Sequence, residues 1–294
     1  MAKKPLSLIE KDLASIWHPF TQMKTALPTI PIVRAEGIYL LSDDGRRYVD
    51  GISSWWVNLH GHGHPYIKEK IKEQLDLLEH VIFADFTHAP ACDLATRLLS
   101  LLPGSLSKIF YSDNGSTAVE IALKMALQYW HNQNVEKTKV ICFKNSYHGD
   151  TFGAMSSAGK NDFNKPFWNK LFDVESIDPP LKGQEEKSLE QLKMVLQRQN
   201  IACFIFEPLV LGSGGMIIYP PDGLNHLLKL CQDHDVLTIA DEVMTGFGRT
   251  GTYFALHQLA SDSAPDLLCI SKGLTGGFLP LALTITSEKI YQAF

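Results

Sequence analysis

A lysine and an aspartate follow two apolar runs, and their types and spacing point to one kind of chemistry. Lys272 stands directly after the run at 266–271, and Asp241 stands directly after the run at 236–240. The two residues are about one strand–crossover–strand unit apart, so we expect both at the carboxyl ends of parallel strands. A pyridoxal phosphate enzyme requires such an amine and carboxylate: the lysine forms the Schiff base, and the aspartate pairs with the pyridinium nitrogen.

Gly115 and Ser116 form a candidate phosphate cup. They stand at the junction of a predicted strand and the helix predicted at 116–131. Gly115 lets the backbone approach an anion, and the first N–H groups of a helix, together with its dipole, favour a phosphate. A plain helix cap by Ser116 or Asn114 would explain the same residues. Because Lys272 and Asp241 already indicate a pyridoxal phosphate site, we favour the phosphate cup over the plain cap.

Further side chains are candidates for contact with a cofactor or substrate. Tyr147 follows another strand end, where its ring could stack on a flat heterocycle or belong to an ordinary loop. Arg249, in a glycine-rich loop, could bind a substrate carboxylate or brace the loop. Glu207 also follows a strand and could orient cofactor or substrate. Adjacent side chains of an extended segment point in opposite directions, so we expect core packing for one of Trp55 and Trp56 and a pocket for the other.

Two motifs give weaker evidence for a cofactor or a metal than their patterns suggest. The segment 246–251 matches G-x-G-x-x-G, but a dinucleotide fingerprint turns directly from strand into helix, which the sequence here does not indicate. We therefore expect neither NAD nor FAD. His60, His62 and His64 alternate with a spacing that can ligate a metal, but no nearby cysteine or carboxylate supports them. A turn into the next helix explains the histidines, and we expect no metal.

Composition is typical of a soluble globular protein. Of the 294 residues, 45% are hydrophobic and 20% are charged, and the net charge of −5 argues against a nucleic-acid partner. The five cysteines are scattered and form no C-x-x-C pair, which suits a reducing compartment. We find no secretory leader and no apolar stretch of about 18 residues. These features predict a cytoplasmic protein without a membrane partner.

The elements that must position these residues alternate between strand and helix. Short strands punctuated by Pro and Gly at 32–50 predict a small antiparallel meander. After it, helices and apolar strands alternate up to a last strand at 281–286, which predicts an α/β fold with a mostly parallel sheet flanked by helices. Ligands of such sheets bind at the carboxyl ends of the strands. We expect an N-terminal segment at 1–60, a large cofactor-binding domain at 61–294 and a surface loop at 184–187.

Several segments resemble the class III, fold-type I pyridoxal phosphate aminotransferases. Beside the runs around Asp241 and Lys272, the matching segments are IWHPFTQM at 16–23, DGISSWW at 50–56, THAPA at 87–91, KMALQYW at 124–130 and YHGDTFGAMS at 147–156. The double tryptophan and the W-H-P segment resemble the members that act in biotin synthesis. The resemblance implies pyridoxal 5′-phosphate as cofactor, S-adenosylmethionine as amino donor and 8-amino-7-oxononanoate as acceptor.

The resemblance also implies roles for single residues. Lys272 matches the family's Schiff-base lysine, Asp241 matches the pyridinium partner, and Tyr147 matches the ring-stacking tyrosine. Gly115 and Ser116 match the phosphate cup. Further positions match residues near the substrate: Trp55, Asp150, Arg249 and Phe20.

The chain departs from the family pattern in two respects. Phe20 stands where some members have tyrosine, so a role for that hydroxyl in substrate binding is in question, while the phenyl ring can still line the pocket. The family's H-G-P-T-F-like block, which gives a threonine to the partner subunit, and its C-terminal small domain are not found before Phe294. The resemblance thus implies a homodimeric enzyme, here C-terminally truncated. Two alternatives stay open: another class III transaminase of ω-amino acids or diamines, and a catalytically incomplete fragment.

Overall fold

The computed structural model describes residues 6–198 and 200–294. Within them the chain forms two compact units, one up to His80 and one from Val81 onwards. A three-stranded sheet lies in the first unit, and a seven-stranded sheet with a two-stranded hairpin lies in the second. The domain boundary expected after residue 60 stays a prediction. No helix among the described residues has the length and apolar character needed to cross a membrane.

The smaller unit combines short helices with the three-stranded sheet. Its elements are α1 (Leu8–Ser15), β1 (Ile32–Glu36), β2 (Tyr39–Ser42), β3 (Arg47–Val49), α2 (Ser53–Trp56) and α3 (Pro65–Leu75). The strands pair antiparallel in the order β1–β2–β3, so the predicted meander is confirmed. α1 begins with a capping box, in which Ser7 and Glu10 each accept a hydrogen bond from the backbone N–H of the other.

The larger unit alternates strand and helix through most of its length. Its strands are β4 (Leu106–Ser112), β5 (Lys139–Phe143), β6 (Val174–Ile177), β7 (Ile201–Phe206), β8 (Val210–Leu211), β9 (Ile217–Ile218), β10 (Leu237–Asp241), β11 (Leu267–Ile270) and β12 (Ala282–Ser287). Its α-helices are α4 (Ala89–Leu99), α5 (Gly115–Asn132), α6 (Phe152–Ser157), α7 (Glu185–Leu196), α8 (Pro221–Asp233) and α9 (Glu288–Tyr291). Short 3-10 helices lie at Lys165–Phe167, Ala255–Gln258 and Lys272–Leu274.

The large sheet has the strand order β4–β12–β11–β10–β7–β5–β6. The five strands from β11 to β6 pair in parallel, while β12 runs antiparallel between β11 and β4. β7 is buried along its whole length, and its alternate residues enter two separate hydrophobic clusters: Phe204 and Phe206 in one, Cys203 and Ile205 in the other. Both faces of the strand are therefore covered, as in helix-flanked parallel sheets. The predicted mostly parallel α/β sheet is confirmed.

The surface loop predicted at 184–187 is wrong. Gln184 is the N-cap of α7, and the three residues after it form the first turn of that helix. Glu185 and Glu186 suit this place because the N-terminal end of a helix carries a partial positive charge. Further along, Leu192 is fully buried and fixes α7 in the core. The polar stretch is therefore the solvated start of an amphipathic helix.

Candidate active site

Polar side chains lie where three neighbouring strands of the large sheet end. Glu207 directly follows β7, Asp241 ends β10, and Lys272 follows shortly after β11. β10 pairs in parallel with both β7 and β11, so the three strands end at the same edge. The carboxyl edge of such a sheet is where ligands bind. Asp241 and Lys272 thus share the edge at which the sequence predicted them.

Both carboxylate oxygens of Asp241 have a hydrogen-bond partner. Oδ1 accepts from the N–H of Val243 at 3.0 Å, and Oδ2 lies 2.7 Å from Nδ1 of His148. The carboxylate and the imidazole are both buried. With its proton on Nδ1, His148 donates to Asp241. Together the two contacts fix the Asp241 carboxylate at the sheet edge.

Lys272 has a backbone conformation that non-glycine residues rarely adopt. Its φ is 36°, in the left-handed region, and strained positions of this kind cluster at functional sites. Burial lowers the pKa of the Lys272 ammonium, whereas the charges of Asp241 and Glu207 act in the opposite direction. A lowered pKa leaves more of the amine neutral, which is the form that acts as a nucleophile or base.

The N-terminus of α5 contains the predicted phosphate cup. Asn114 is its N-cap, with a side-chain oxygen that accepts from the Thr117 N–H at 3.0 Å. The plain capping role therefore belongs to Asn114, and Gly115 and Ser116 form the helix start that favours anions. A Cβ at position 115 would lie 2.7 Å from Cγ1 of Val243. Glycine is thus required there by packing against the segment after β10, a reason that the sequence did not reveal.

The segment after β5 is joined to the same helix start. The Ser116 hydroxyl accepts from the N–H of Asp150 at 3.1 Å. Gly149 has a φ of 127° and packs so closely on Ser116 that a Cβ there would overlap its side chain. The Tyr147 hydroxyl donates to Oδ2 of Asp150 at 2.9 Å. Burial raises the pKa of the Tyr147 phenol, and the neighbouring Asp150 adds to the effect. The structure therefore brings Ser116, Tyr147 and Asp150 together.

Glu207 links the segment of Tyr147 to the segment after β7. One of its carboxylate oxygens accepts from the Tyr147 N–H at 3.0 Å, and the other accepts from the Gly212 N–H at 2.9 Å. Burial raises the pKa of Glu207 to about 7; His148 opposes the effect of burial and Asp241 adds to it. Because both oxygens are used, Glu207 fixes the backbone of Tyr147 beside the sheet edge.

Arg249 lies on an exposed turn of the segment between β10 and the 3-10 helix Ala255–Gln258. The G-x-G-x-x-G match at 246–251 falls in the same segment. It continues in turns up to that short 3-10 helix, so the strand–turn–α-helix arrangement of a dinucleotide fingerprint is not formed here.

Phe20 and Trp55 lie in the smaller unit, with ring centroids 5.1 Å apart in an edge-to-face arrangement. α2, which contains Trp55, is a left-handed turn, since φ at residues 53–56 lies between 48° and 63°. The prediction of an extended segment there is wrong. Asp50 holds the turn by accepting from the N–H of Ser54 at 2.9 Å and from its hydroxyl at 2.7 Å. A hydrogen-bonded turn, not the alternation of a strand, orients Trp55.

The alternating histidines have other partners. Nε2 of His62 lies 2.9 Å from a carboxylate oxygen of Asp50, and the rings of His60 and His64 have centroids 6.1 Å apart. Across residues 6–198 and 200–294, no group of three or more His, Cys, Asp or Glu side chains is placed to hold a metal ion. His62 therefore belongs to the network that holds α2.

Sequence reasoning missed two residues of this region, His148 and Glu242. His148 belongs to the YHGD segment that was singled out for Tyr147, but its contact with Asp241 spans 93 positions of the chain. Glu242 accepts from the N–H groups of Ala255 and Leu256, both at 2.7 Å. Two adjacent carboxylates after a buried strand were the available signal, since neighbouring side chains of a strand point to opposite faces.

A family model described as aminotransferase class III matches residues 21–294. The chain belongs to this family, whose members are pyridoxal-phosphate-dependent aminotransferases. The match covers both compact units, and it agrees with the fold class and the cofactor that the sequence predicted.

Individual members of the family are similar to this chain over most of its length. The adenosylmethionine-8-amino-7-oxononanoate aminotransferase of Synechococcus elongatus is 48% identical over 95% of this chain and 67% of its own length. The crystal structure of the enzyme of that name from Methanocaldococcus jannaschii has a TM-score of 0.92 at 41% identity, covering 98% of this chain and 66% of that one. An (S)-enantioselective ω-transaminase from Thermomicrobium roseum has a TM-score of 0.91 at 30% identity, covering 97% and 67%. The chain thus spans about two thirds of the length of these relatives.

The residues at the carboxyl edge fit pyridoxal 5′-phosphate. Lys272 would offer an amine to the aldehyde, Asp241 would offer a carboxylate to the pyridine nitrogen, and the start of α5 suits the phosphate. Nε2 of His148 is buried and has no hydrogen-bond partner among the described residues. Buried polar atoms are normally satisfied, so this nitrogen indicates a place for a bound group or a water molecule.

Proposed function

We propose that this chain contains the cofactor site of an aminotransferase of biotin synthesis. The reaction moves the amino group of S-adenosylmethionine to 8-amino-7-oxononanoate and gives 7,8-diaminononanoate. The observation that carries the proposal is the amine of Lys272 at the same sheet edge as the buried Asp241–His148 pair. The identity of 48% to the Synechococcus elongatus relative supports the choice of donor and acceptor.

In this proposal Lys272 holds the cofactor and moves the proton. Bound pyridoxal phosphate supplies an electron sink beside the carbon that loses its proton. Burial lowers the pKa of Lys272 and so favours the neutral amine, which takes the proton from the donor carbon and gives it up again. The left-handed backbone at Lys272 supports this role, because it fixes where the side chain leaves the sheet edge.

Asp241 and His148 act as one unit in the proposal. The carboxylate pairs with the pyridine nitrogen, and a negative charge at that place keeps the nitrogen protonated. The contact of 2.7 Å between Oδ2 of Asp241 and Nδ1 of His148 orients the carboxylate. The N–H of Val243 donates to the other oxygen, so both oxygens of the carboxylate are held.

Gly115, Ser116 and Tyr147 complete the proposed cofactor site. The start of α5 binds the phosphate through backbone N–H groups and the helix dipole. Tyr147 stacks on the ring, and two contacts support its position: Glu207 accepts from its N–H, and Asp150 accepts from its hydroxyl. The role of each residue matches the corresponding family position.

Four residues are proposed to contact substrate: Trp55, Asp150, Arg249 and Phe20. Arg249 suits the carboxylate that both substrates carry, since a guanidinium forms paired hydrogen bonds with such a group. The edge-to-face contact of Phe20 with Trp55 supports an aromatic wall for the apolar part of the substrate. Phe20 contributes a ring without a hydroxyl.

A homodimer, a cytoplasmic location and a domain boundary near residue 60 belong to the same proposal. Exposed aromatic side chains of the larger unit, Phe152 and Phe163 among them, support an interface between copies. The five cysteines carry free thiols, and four are buried, which suits a reducing compartment. Size-exclusion chromatography with light scattering tests the dimer directly.

A visible absorption spectrum of the purified 294-residue chain tests the proposed function. We expect pyridoxal phosphate to give the band of a lysine-bound cofactor, and S-adenosylmethionine to bleach that band. Lys272→Ala should abolish the band, whereas Lys160→Ala, at a surface lysine paired with Asp173, should retain it. A band that forms but ignores every amino donor would support a catalytically incomplete fragment. A band that persists in Lys272→Ala would overturn the assignment of the lysine.

A transaminase of ω-amino acids or diamines is the second candidate. The similarity to the Thermomicrobium roseum ω-transaminase, with a TM-score of 0.91 at 30% identity, favours it. A screen of amino donors separates the two candidates. Bleaching by diamines or ω-amino acids, with no response to S-adenosylmethionine, would replace the first candidate by the second.

A further inference from the structure

The segment 243–254, which we call the arginine loop, closes on itself between β10 and the 3-10 helix Ala255–Gln258. Within it the N–H of Gly248 donates to the carbonyl of Tyr253 at 3.0 Å, and the N–H of Gly251 donates to the carbonyl of Gly248 at 3.1 Å. Arg249 lies on the exposed turn that these bonds form. The loop therefore presents Arg249 on a turn that its own backbone bonds close.

Glu242 fixes the base of the arginine loop. Its two carboxylate oxygens accept separately from the N–H groups of Ala255 and Leu256, both at 2.7 Å, at the start of the 3-10 helix. Its own carbonyl accepts from the N–H of Gly246 at 3.1 Å, and a Cβ at Gly246 would lie 2.9 Å from that carbonyl. The Glu242 side chain is completely buried. A buried carboxylate with both oxygens bonded locks the two ends of the loop together.

Gln258 holds the other side of the arginine loop. Its amide nitrogen donates to the carbonyl of Thr250 at 2.8 Å and lies 3.2 Å from the hydroxyls of Thr250 and Thr252. Within the loop, the ring of Phe247 packs on those of Tyr253 and Phe254, with centroids 5.7 and 5.4 Å away. Thr250, on one side of Arg249, is thus tied to Gln258 after the loop, and Phe247, on the other side, is tied to the end of the loop itself.

These contacts lower the freedom of the backbone that bears Arg249. Ordering a loop at the moment of binding costs conformational entropy, and a loop already held in one form avoids that cost. Phe247 has a φ of 59°, in a region that non-glycine residues adopt only where the surrounding structure supports it. The loop is therefore organised before a ligand arrives.

We propose that Glu242 and Gln258 are positioning residues that hold the arginine loop so that Arg249 meets a substrate carboxylate. The inference rests on the proposed function for the ligand of Arg249. It adds the two residues that set the selectivity for carboxylate-bearing substrates over simple amines, and neither of them touches the substrate itself.

Trypsin provides a test of the loop that needs no turnover. Cleavage after Arg249 requires local opening of the loop, and its rate follows the open population. We expect Glu242→Gln and Gln258→Ala each to speed cleavage after Arg249 by about ten-fold. Asp266→Asn is the matched control, because Oδ2 of Asp266 alone accepts the bonds from Thr238 and an amide can keep them. Rates equal to that of the control would overturn the inference.

Binding of S-adenosylmethionine, followed by calorimetry on the chain loaded with pyridoxal phosphate, tests the consequence. We expect about ten-fold weaker binding in Glu242→Gln and Gln258→Ala, and an absorption band of the bound cofactor as in the unaltered chain. Affinity for an amine without a carboxylate, such as putrescine, should stay within about two-fold of the unaltered chain. Faster cleavage with unchanged affinity for S-adenosylmethionine would overturn the positioning role. An unaltered chain that does not bind S-adenosylmethionine would instead refute the proposed function.

Discussion

The two ends of the parallel strands in the large sheet use carboxylates in different ways. At the amino end, Asp266 precedes β11, and a single oxygen, Oδ2, accepts from both the N–H and the hydroxyl of Thr238 on the neighbouring strand. At the carboxyl end, Glu207, Asp241 and Glu242 each use both oxygens, and each oxygen has a different donor. The two ends therefore differ in how many oxygens of each carboxylate accept hydrogen bonds.

This difference explains why an amide can replace one kind of carboxylate and not the other. The oxygen of an asparagine side chain can accept the two bonds that Oδ2 of Asp266 accepts. A glutamine at 207 or 242 would present an NH₂ group to a backbone N–H, so one buried donor would lose its acceptor. Glu207 and Asp241 also join segments that are distant in sequence, through Tyr147 and His148, whereas Asp266 joins two adjacent strands. The comparison predicts large functional effects at one end and small effects at the other.

The largest effect is expected from Asp241→Asn. The variant removes the negative charge beside the proposed pyridine nitrogen and brings an NH₂ group near Val243 or His148. We expect kcat to fall by about 10²–10³-fold, the usual cost of losing one electrostatic partner in an active site. Steady-state kinetics with S-adenosylmethionine measure the change. A loss below about three-fold would show that the charge of Asp241 is not used in the reaction.

A smaller effect is expected from His148→Phe. The variant leaves Oδ2 of Asp241 buried without its donor, which costs about 1.5–3 kcal/mol of stability. Urea unfolding measures this cost, and titration with pyridoxal phosphate should show about ten-fold weaker binding. His148→Gln, whose amide can still donate to Asp241, should recover part of both losses. Equal behaviour of the two variants would contradict a role for the hydrogen bond.

The fold was predictable where apolar periodicity extended over several residues. The helix predicted at 116–131 is α5, Gly115–Asn132, and the buried strands β7, β10 and β11 lie where apolar runs indicated them. β6 contains Glu175 and Ser176, and β8 and β9 have two residues each, so no apolar run marked them. The start of α7 was misread because its first turn is polar, although its later residues are buried.

The residues of the site were predictable where they directly follow a buried strand. Lys272 and Asp241 follow buried runs directly, and parallel strands bring their carboxyl ends together whatever the details of the loops. The partner of Asp241 was not predictable, because His148 is 93 positions away and only the packed sheet makes them neighbours. The left-handed turn around Trp55 was missed for another reason: four successive residues with positive φ are rare, and no glycine marks them.

The pH dependence of stability offers a further test at the carboxyl end. Burial raises the pKa of Glu207 to about 7 from its ordinary value of 4.5. Its contribution to stability is therefore fully present below about pH 4.5 and is lost as the pH rises through 7. Between these values the group lowers the free energy of unfolding by up to about 1.4 kcal/mol per pH unit.

Glu207→Gln removes this titration, so its free energy of unfolding should change less steeply between pH 4.5 and 7. Urea titrations at several pH values measure the slope. Asp178→Asn is the control, because Lys144 and Lys187 lower the pKa of Asp178 and its titration lies below this window. A slope that is unchanged in Glu207→Gln would mean that this carboxyl titrates elsewhere.

The smallest effect is expected from Asp266→Asn, at the amino end. Burial raises the pKa of Asp266, so the charged form is disfavoured there, and an uncharged amide avoids that cost. The asparagine oxygen can keep both bonds from Thr238, while the N–H of residue 266 can still donate to the carbonyl and hydroxyl of Thr238. We expect the free energy of unfolding to change by less than about 1 kcal/mol, with kcat and KM within about two-fold. A large loss of activity with a stable fold would show that the amino end of β10 and β11 communicates with Asp241 and Lys272, and the division between the two ends would then be wrong.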